Sequence, residues 1–88
     1  MADSTAPVVT VYSTTWCAFC KTEKQWLDKL GVTYAAKNIE EDEAAKDELL
    51  GKIDGNFQGV PVTDINGEII LGFDRPKLQA ALEKNQLV

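Results

Sequence analysis

Cys17 and Cys20, the chain's two cysteines, lie two residues apart in the stretch Thr15-Trp16-Cys17-Ala18-Phe19-Cys20-Lys21. On a helix of about 3.6 residues per turn this spacing places both thiols on one face, where they can close a small disulfide. If Cys17 stands at the helix start, the unpaired N–H groups of the first turn and the positive end of the helix dipole favour its thiolate. Lys21 adds a nearby cation. Such surroundings lower a thiol pKa from about 8.5 into the range of roughly 3.5 to 7.5, and the thiolate is the species that attacks disulfides. The chemistry on offer is therefore dithiol–disulfide exchange. Cys17 is expected as the nucleophile, and Cys20, one turn further in and more buried, as the resolving thiol.

Two other uses of the pair fit the chain less well. A structural zinc ion needs four ligands, and the chain has no histidine and no second cysteine pair. A purely structural disulfide is also a poor fit, because so short a loop removes little entropy from the unfolded chain.

The elements that must position the thiols follow from the flanking pattern. Val8-Val9-Thr10-Val11-Tyr12, introduced by Pro7, is a β-branched run with apolar character on both faces, as suits a central strand. Ser13-Thr14-Thr15 turns the chain and supplies hydroxyls to cap the coming helix or to bond the active sulfur. The helix then runs from Trp16 or Cys17 to Leu30, with Cys20, Leu27 and Leu30 on its buried stripe, Glu23 or Lys24 at the margin of that stripe, and Gly31 as its stop. Trp26 lies off the stripe and is expected only to pack.

Val32 to Ile39 reads as a second strand, and the acids Glu40-Glu41-Asp42-Glu43 as the solvated start of a second helix, favoured there by the dipole. Ala45, Leu49 and Ile53 continue that helix until Asp54-Gly55-Asn56 ends it. Phe57-Gln58-Gly59-Val60-Pro61-Val62 is the second stretch able to carry function, since an X-Pro bond is where cis peptides occur. Val62 to Ile65 and Glu68 to Leu71 flank Asn66-Gly67, a strong hairpin signal that makes these strands antiparallel. Asp74 is a good N-cap, Pro76 fits a first turn, and Leu78, Ala81 and Leu82 face inward on a last helix ending near Asn85. The order β-α-β-α-β-β-α implies a right-handed crossover and a three-layer α/β sandwich with a four-stranded mixed sheet.

The 88 residues are expected to form one domain, residues 1–88, with 1–6 frayed. Apolar residues make up 44% and charged ones 26%, the mixture of a soluble globular chain. No run approaches the ~18 apolar residues of a membrane span. Nine basic residues among fourteen acids, net charge −5, argue against nucleic acid, whose phosphates call for a basic footprint. Met1-Ala2-Asp3-Ser4 lacks the basic start and apolar run of a secretory signal, so a cytoplasmic location is expected. In that compartment a cysteine pair is more often catalytic than structural.

Taken together, Cys17-Ala18-Phe19-Cys20, Gly59-Val60-Pro61 and Gly72-Phe73-Asp74-Arg75-Pro76, in this order and element context, resemble the glutaredoxin family and its NrdH-type redoxin relatives. The resemblance runs from about Val8 to Leu82. It implies a thioredoxin-like fold with Pro61 cis and its loop facing the cysteines, and Val60 at the place whose backbone pairs with the cysteinyl part of a substrate or glutathione. Phe19 matches the aromatic of the family's Cys-Pro-Tyr-Cys pattern. Thr14 stands where glutaredoxins often carry a lysine, and Phe73 stands at the place of a second glycine. The Gly72 to Pro76 run looks closer to the Gly-Phe-Arg-Pro run of NrdH-type redoxins, which take electrons from thioredoxin reductase and pass them to ribonucleotide reductase.

The expected function is thus a dithiol–disulfide oxidoreductase acting on protein disulfides or mixed disulfides, with Cys17 and Cys20 catalytic. Trp16, Phe19, Lys21, Val60, Pro61, Gly72, Phe73 and Asp74 are expected to line the thiol or substrate site. No tightly bound cofactor and no metal are expected. Glutathione or thioredoxin reductase is the expected reductant, disulfide-bearing proteins, ribonucleotide reductase among them, the partners, and a monomer the expected state. Two alternatives stay open: an iron–sulfur or metal carrier sharing Cys17 across a dimer, and a non-catalytic interaction domain that has kept the fold.

Overall fold

The computed structural model describes residues 8–57 and 59–87. The expected fraying of residues 1 to 6, Pro7 ahead of the first strand and Gln58 in the second functional stretch lie outside them. Among the described residues the element order is β1 Val9–Ser13, α1 Ala18–Leu30, β2 Ala35–Asn38, α2 Glu43–Lys52, β3 Val62–Ile65, β4 Glu68–Leu71 and α3 Arg75–Lys84. The strands form one sheet in the order β2-β1-β3-β4. β1 is parallel to β2, with Val11 opposite Ala36, and antiparallel to β3, with Val11 opposite Thr63. β3 and β4 are the expected antiparallel hairpin, and Asn66 and Gly67 both adopt positive φ at its turn.

Strand alternation divides the core between the two faces of the sheet. Val9, Val11, Ile65 and Ile70 pack with Leu27 of α1 and with Leu78, Ala81 and Leu82 of α3. On the opposite face Tyr12 and Val62 pack with Ile39 and with Ala45 and Leu49 of α2. The β-branched character of β1 on both faces is the direct cause, since a strand covered by helices on each side has no polar face to spare. A polar chain closes the α2 layer: the Tyr12 hydroxyl donates to Glu48 and accepts from Lys52, which also pairs with Asp64.

Three local readings are corrected. β2 is shorter than the expected Val32–Ile39 and lies at the sheet edge; Val32 belongs to the turn, where its N–H closes on the Leu27 carbonyl at 3.1 Å behind the left-handed Gly31. The acidic run does not begin α2 as a block. The Asn38 side chain accepts the N–H groups of Glu40 and Glu41 at 2.9 and 3.3 Å, which holds these two acids in a turn and leaves Asp42 as the N-cap. Glu23, expected at the margin of the α1 stripe, is completely buried.

Candidate functional site

β1 delivers the chain through Ser13-Thr14-Thr15 to the start of α1, and there Cys17 is the N-cap residue. Its sulfur accepts the Cys20 N–H at 3.0 Å, the position an Asp or Ser oxygen takes in an ordinary cap. The expectation that a Ser13, Thr14 or Thr15 hydroxyl caps the helix is therefore corrected. Thr14 Oγ1 is buried without a partner, and Thr15 Oγ1 accepts from the Asn38 side chain at 2.9 Å. The two cysteines are joined as a disulfide, with Cα atoms 5.3 Å apart. Cys20 is 1% exposed and Cys17 8%, and Cys17 also lines a surface cavity of about 370 Å³ shared with Lys21, Lys24 and Asn38.

The remaining expected site residues divide by where their side chains go. Trp16, just before Cys17, and Phe19, just before Cys20, stand 72% and 67% exposed, so neither is consumed by the core. The Val60–Pro61 peptide is cis. Val60 shares a groove of about 750 Å³ with Thr14 and Trp16, which brings the Pro61 loop beside the residues that lead into Cys17. Gly72 is tied to the same loop through its N–H, which reaches the Pro61 carbonyl at 2.8 Å.

Phe73 and Asp74 point elsewhere. Phe73 packs against the core and meets Trp26 edge-on at 6.0 Å, and the Arg75 guanidinium lies over the Trp26 ring at 5.8 Å from its centroid. Asp74 turns back onto α3, where its carboxylate caps the Lys77 N–H at 3.3 Å. Among the described residues no group of three or more histidines, cysteines or carboxylates could hold a metal ion, and no helix is long and apolar enough to cross a membrane.

Two acids expected at a solvated helix start and at the margin of α1 hold buried or latching positions instead. Glu40 accepts the Thr15 N–H at 3.1 Å and the Trp16 indole N–H at 2.7 Å, latching the β1–α1 loop to the turn after β2. Glu23 follows Cys20 by three residues among the buried residues of α1 and accepts the Thr63 hydroxyl of β3 with one oxygen, while the other is buried and unpartnered. Burial pushes its carboxyl up to about 7, against a smaller lowering by the Thr63 hydrogen bond. Its signal was in the helix period, since Cys20, Glu23 and Leu27 fall at successive turns of one stripe. Nothing in the sequence foretold the Glu40 latch, which joins segments more than twenty positions apart.

A cysteine pair opening a helix, set beside a cis-proline loop at one end of a mixed four-stranded sheet, defines a thioredoxin-like redox fold. Within that class the chain belongs to the glutaredoxin family, whose family model, Glutaredoxin, matches residues 9–70. A glutaredoxin-like 8.6 kDa protein in the rubredoxin operon of Clostridium pasteurianum is 30% identical over 77 residues, covering 88% of this chain and 100% of the relative. Among solved structures, the thioredoxin-like protein BC3987 is 32% identical with a TM-score of 0.77, covering 84% of this chain and 99% of that one. The NrdH-redoxin from Escherichia coli shares the fold at a TM-score of 0.71 and 19% identity, over 82% of this chain and 91% of that one. The family's members are generally thiol–disulfide oxidoreductases.

The latch carries a test of its own. Glu40→Ala is expected to lower kcat/KM for a protein disulfide by about threefold to tenfold, the worth of about 1 kcal/mol from exposed hydrogen bonds that order Thr15 and Trp16. A steady-state assay checks it; unchanged kinetics would mean that the loop needs no latch.

Proposed function

We propose that this protein is a cytoplasmic dithiol–disulfide oxidoreductase that reduces protein disulfides or mixed disulfides, drawing electrons from a protein reductase of the thioredoxin reductase kind. The observation that carries the catalytic part is the Cys17 sulfur itself, which takes the N-cap position, accepts a backbone N–H and opens onto a surface cavity. In the reduced protein the same amides stabilise a thiolate there. The Cys17 thiolate attacks a substrate disulfide, forming a mixed disulfide and expelling one substrate thiolate. Cys20 then loses its proton and attacks the Cys17 sulfur, which releases the second substrate thiolate and closes the internal disulfide. Val60 offers its backbone beside Trp16 for an extended substrate segment. Lys21 lines the same cavity as Cys17, Phe19 stands exposed next to Cys20 in the chain, and Gly72 braces the Pro61 carbonyl.

The character of the groove supports the choice of donor. Glutathione carries a carboxylate at each end, and the walls between Trp16 and Val60 present Glu40, Glu43 and Asp47 against the single cation Lys46. Like charges set opposite a ligand select against it. At the other end of the site the α3 N-terminus, a natural carboxylate binder, is already capped by Asp74. The Escherichia coli NrdH-redoxin, a glutaredoxin-like protein described as having a thioredoxin-like activity profile, offers a parallel.

The deciding experiment runs one disulfide substrate with NADPH and thioredoxin reductase, and in parallel with glutathione, NADPH and glutathione reductase. Turnover with the first system is expected to exceed the second by roughly tenfold, about 1.4 kcal/mol of discrimination. Faster turnover with glutathione would overturn the donor, and no turnover with either would overturn the oxidoreductase reading.

A further inference from the structure

Glu23 is the one buried carboxylate among the described side chains, and the mechanism above gives it no task. It follows Cys20 by three residues on α1, so the two side chains stand on adjacent turns of one face, with Cβ atoms about 5 to 6 Å apart. Helical side chains lean toward the N-terminus, which carries the long Glu23 side chain back over the turn that holds Cys20. Thr63 fixes one carboxyl oxygen by hydrogen bonding, and the other is buried and unpartnered. A buried polar atom without a partner is rare and costly, and a function in the chemistry is one reason for keeping it. Cys20, 1% exposed, cannot hand its proton directly to bulk water.

We propose that Glu23 is the proton acceptor for Cys20 in the resolving step, an assignment that rests on reading Cys20 as the resolving thiol. In the mixed-disulfide state the Cys20 thiol passes its proton to the free oxygen of the Glu23 carboxylate. The resulting thiolate attacks the Cys17 sulfur, the bond between Cys17 and the substrate breaks, and the substrate leaves as a thiolate. Glu23 now carries the proton. When a reductant delivers two electrons to the Cys17–Cys20 bond, Cys17 becomes a thiolate and Cys20 takes its proton back from Glu23, restoring the starting state with no proton stranded in the core.

The surroundings suit that task. Glu23 shares the inner face of α1 with Leu27, which packs with Val9 and Val11 of β1, Ile65 of β3, Ile70 of β4 and Leu78, Ala81 and Leu82 of α3, none of them charged, and the hydrogen-bond partner of Glu23 is the neutral Thr63. On α1 itself Lys21 and Asp28 are exposed and Lys24 is half-buried, and on α3 Arg75 lies over Trp26. No charged neighbour contributes to the ionisation of Glu23; burial raises it and Thr63 partly offsets that, to about 7. A carboxyl that titrates near neutral pH can both take and return a proton there.

The test separates the two chemical steps on the whole protein. Reduced protein is mixed with a chromogenic aromatic disulfide, and mixed-disulfide formation is followed by mass spectrometry while release of the second thiol is followed by absorbance, from pH 5.5 to 9. In Glu23→Gln the first step is expected to keep its rate, whereas release slows by about 10-fold to 100-fold at pH 7, the upper figure being the usual minimum for a lost general base. Release in the parent protein should rise with a midpoint near 7, and in Glu23→Gln only at higher pH with the thiol's own ionisation. Thr63→Val keeps the carboxyl but removes the hydrogen bond that favours its ionised form, so its release midpoint should move upward. A purely structural Glu23 would shift the melting temperature without moving either midpoint. Equal release rates and midpoints in the parent and Glu23→Gln, or an unmoved midpoint in Thr63→Val, would overturn the assignment. Absence of the first step in the parent protein would instead overturn the oxidoreductase reading on which it rests.

Discussion

Replacing Cys17 with serine is expected to lower disulfide reduction by about a thousandfold or more, the scale seen when a nucleophile that works as part of a unit is removed. Cys20→Ser, by contrast, should perform the first attack and stop, leaving the substrate attached to Cys17. The asymmetry has a physical origin in α1. Cys17 caps the helix, so the backbone N–H of Cys20 already points at its sulfur, and its face opens to a cavity that a substrate can enter. Cys20 sits a turn inside with almost no exposed surface, placed to reach only the Cys17 sulfur. Serine in the first position keeps the cap but does not ionise near neutral pH, whereas serine in the second removes only the release step. Steady-state reduction of a protein disulfide and intact-mass detection of the trapped adduct measure both outcomes. Comparable residual activity in the two variants would contradict the division of roles. In the reduced protein, alkylation of Cys17 should show a midpoint below the ~8.5 of a free cysteine.

The stability of the oxidised protein should fall by about 2.5 kcal/mol between pH 5 and pH 8, and Glu23→Gln should flatten that slope. Glu23 has its carboxyl raised from 4.5 to about 7 in the folded chain, an increase of about 2.5 pH units at about 1.36 kcal/mol each. The sign follows from proton counting. Between the two values the folded chain holds a proton that the unfolded chain has released, so raising the pH favours unfolding across that window. Below the unfolded value both states are protonated and the term vanishes. Well above 7 the folded protein carries a buried carboxylate whose one hydrogen-bond donor among the described residues is Thr63, and the penalty is complete. Glutamine keeps the size and the acceptor oxygen for Thr63 without the charge. Urea unfolding with the disulfide intact, at half-unit steps of pH, gives the slope. A parent profile as flat as that of Glu23→Gln would show that the carboxyl is solvated in the folded state.

That carboxyl marks the boundary of what a linear reading could see. The helix period puts Cys20, Leu27 and Leu30 on the inner stripe of α1 and Glu23 or Lys24 only at its margin, because a charged residue there is ordinarily turned to where water reaches it. The inward direction came from Thr63, a residue of β3 that meets α1 across the sheet and supplies the hydrogen bond. Phe73 shows the converse case. Its place in the Gly72 to Pro76 run marked it for the site, while its ring is taken up by Trp26 and the core, a contact between α1 and the loop before α3. Asp74 was correctly read as an N-cap, and that local role is what its carboxylate does.

The signals legible in the chain alone were those with short range. Residue type and spacing named Cys17 and Cys20, Asn66-Gly67 set the hairpin, Gly31 stopped α1, and the apolar character of Val8 to Tyr12 made β1 a central strand, because each rests on backbone preference or periodicity within a few residues. Resemblance supplied the cis bond at Pro61 and the thioredoxin-like order of elements. The Glu40 latch on Trp16, the Cys17 sulfur serving as its own helix cap, and the enclosed Glu23 were decided only when the chain folded. Each depends on which side chains the sheet and the helices bring together, and on whether a polar atom so enclosed finds a partner or is left without one.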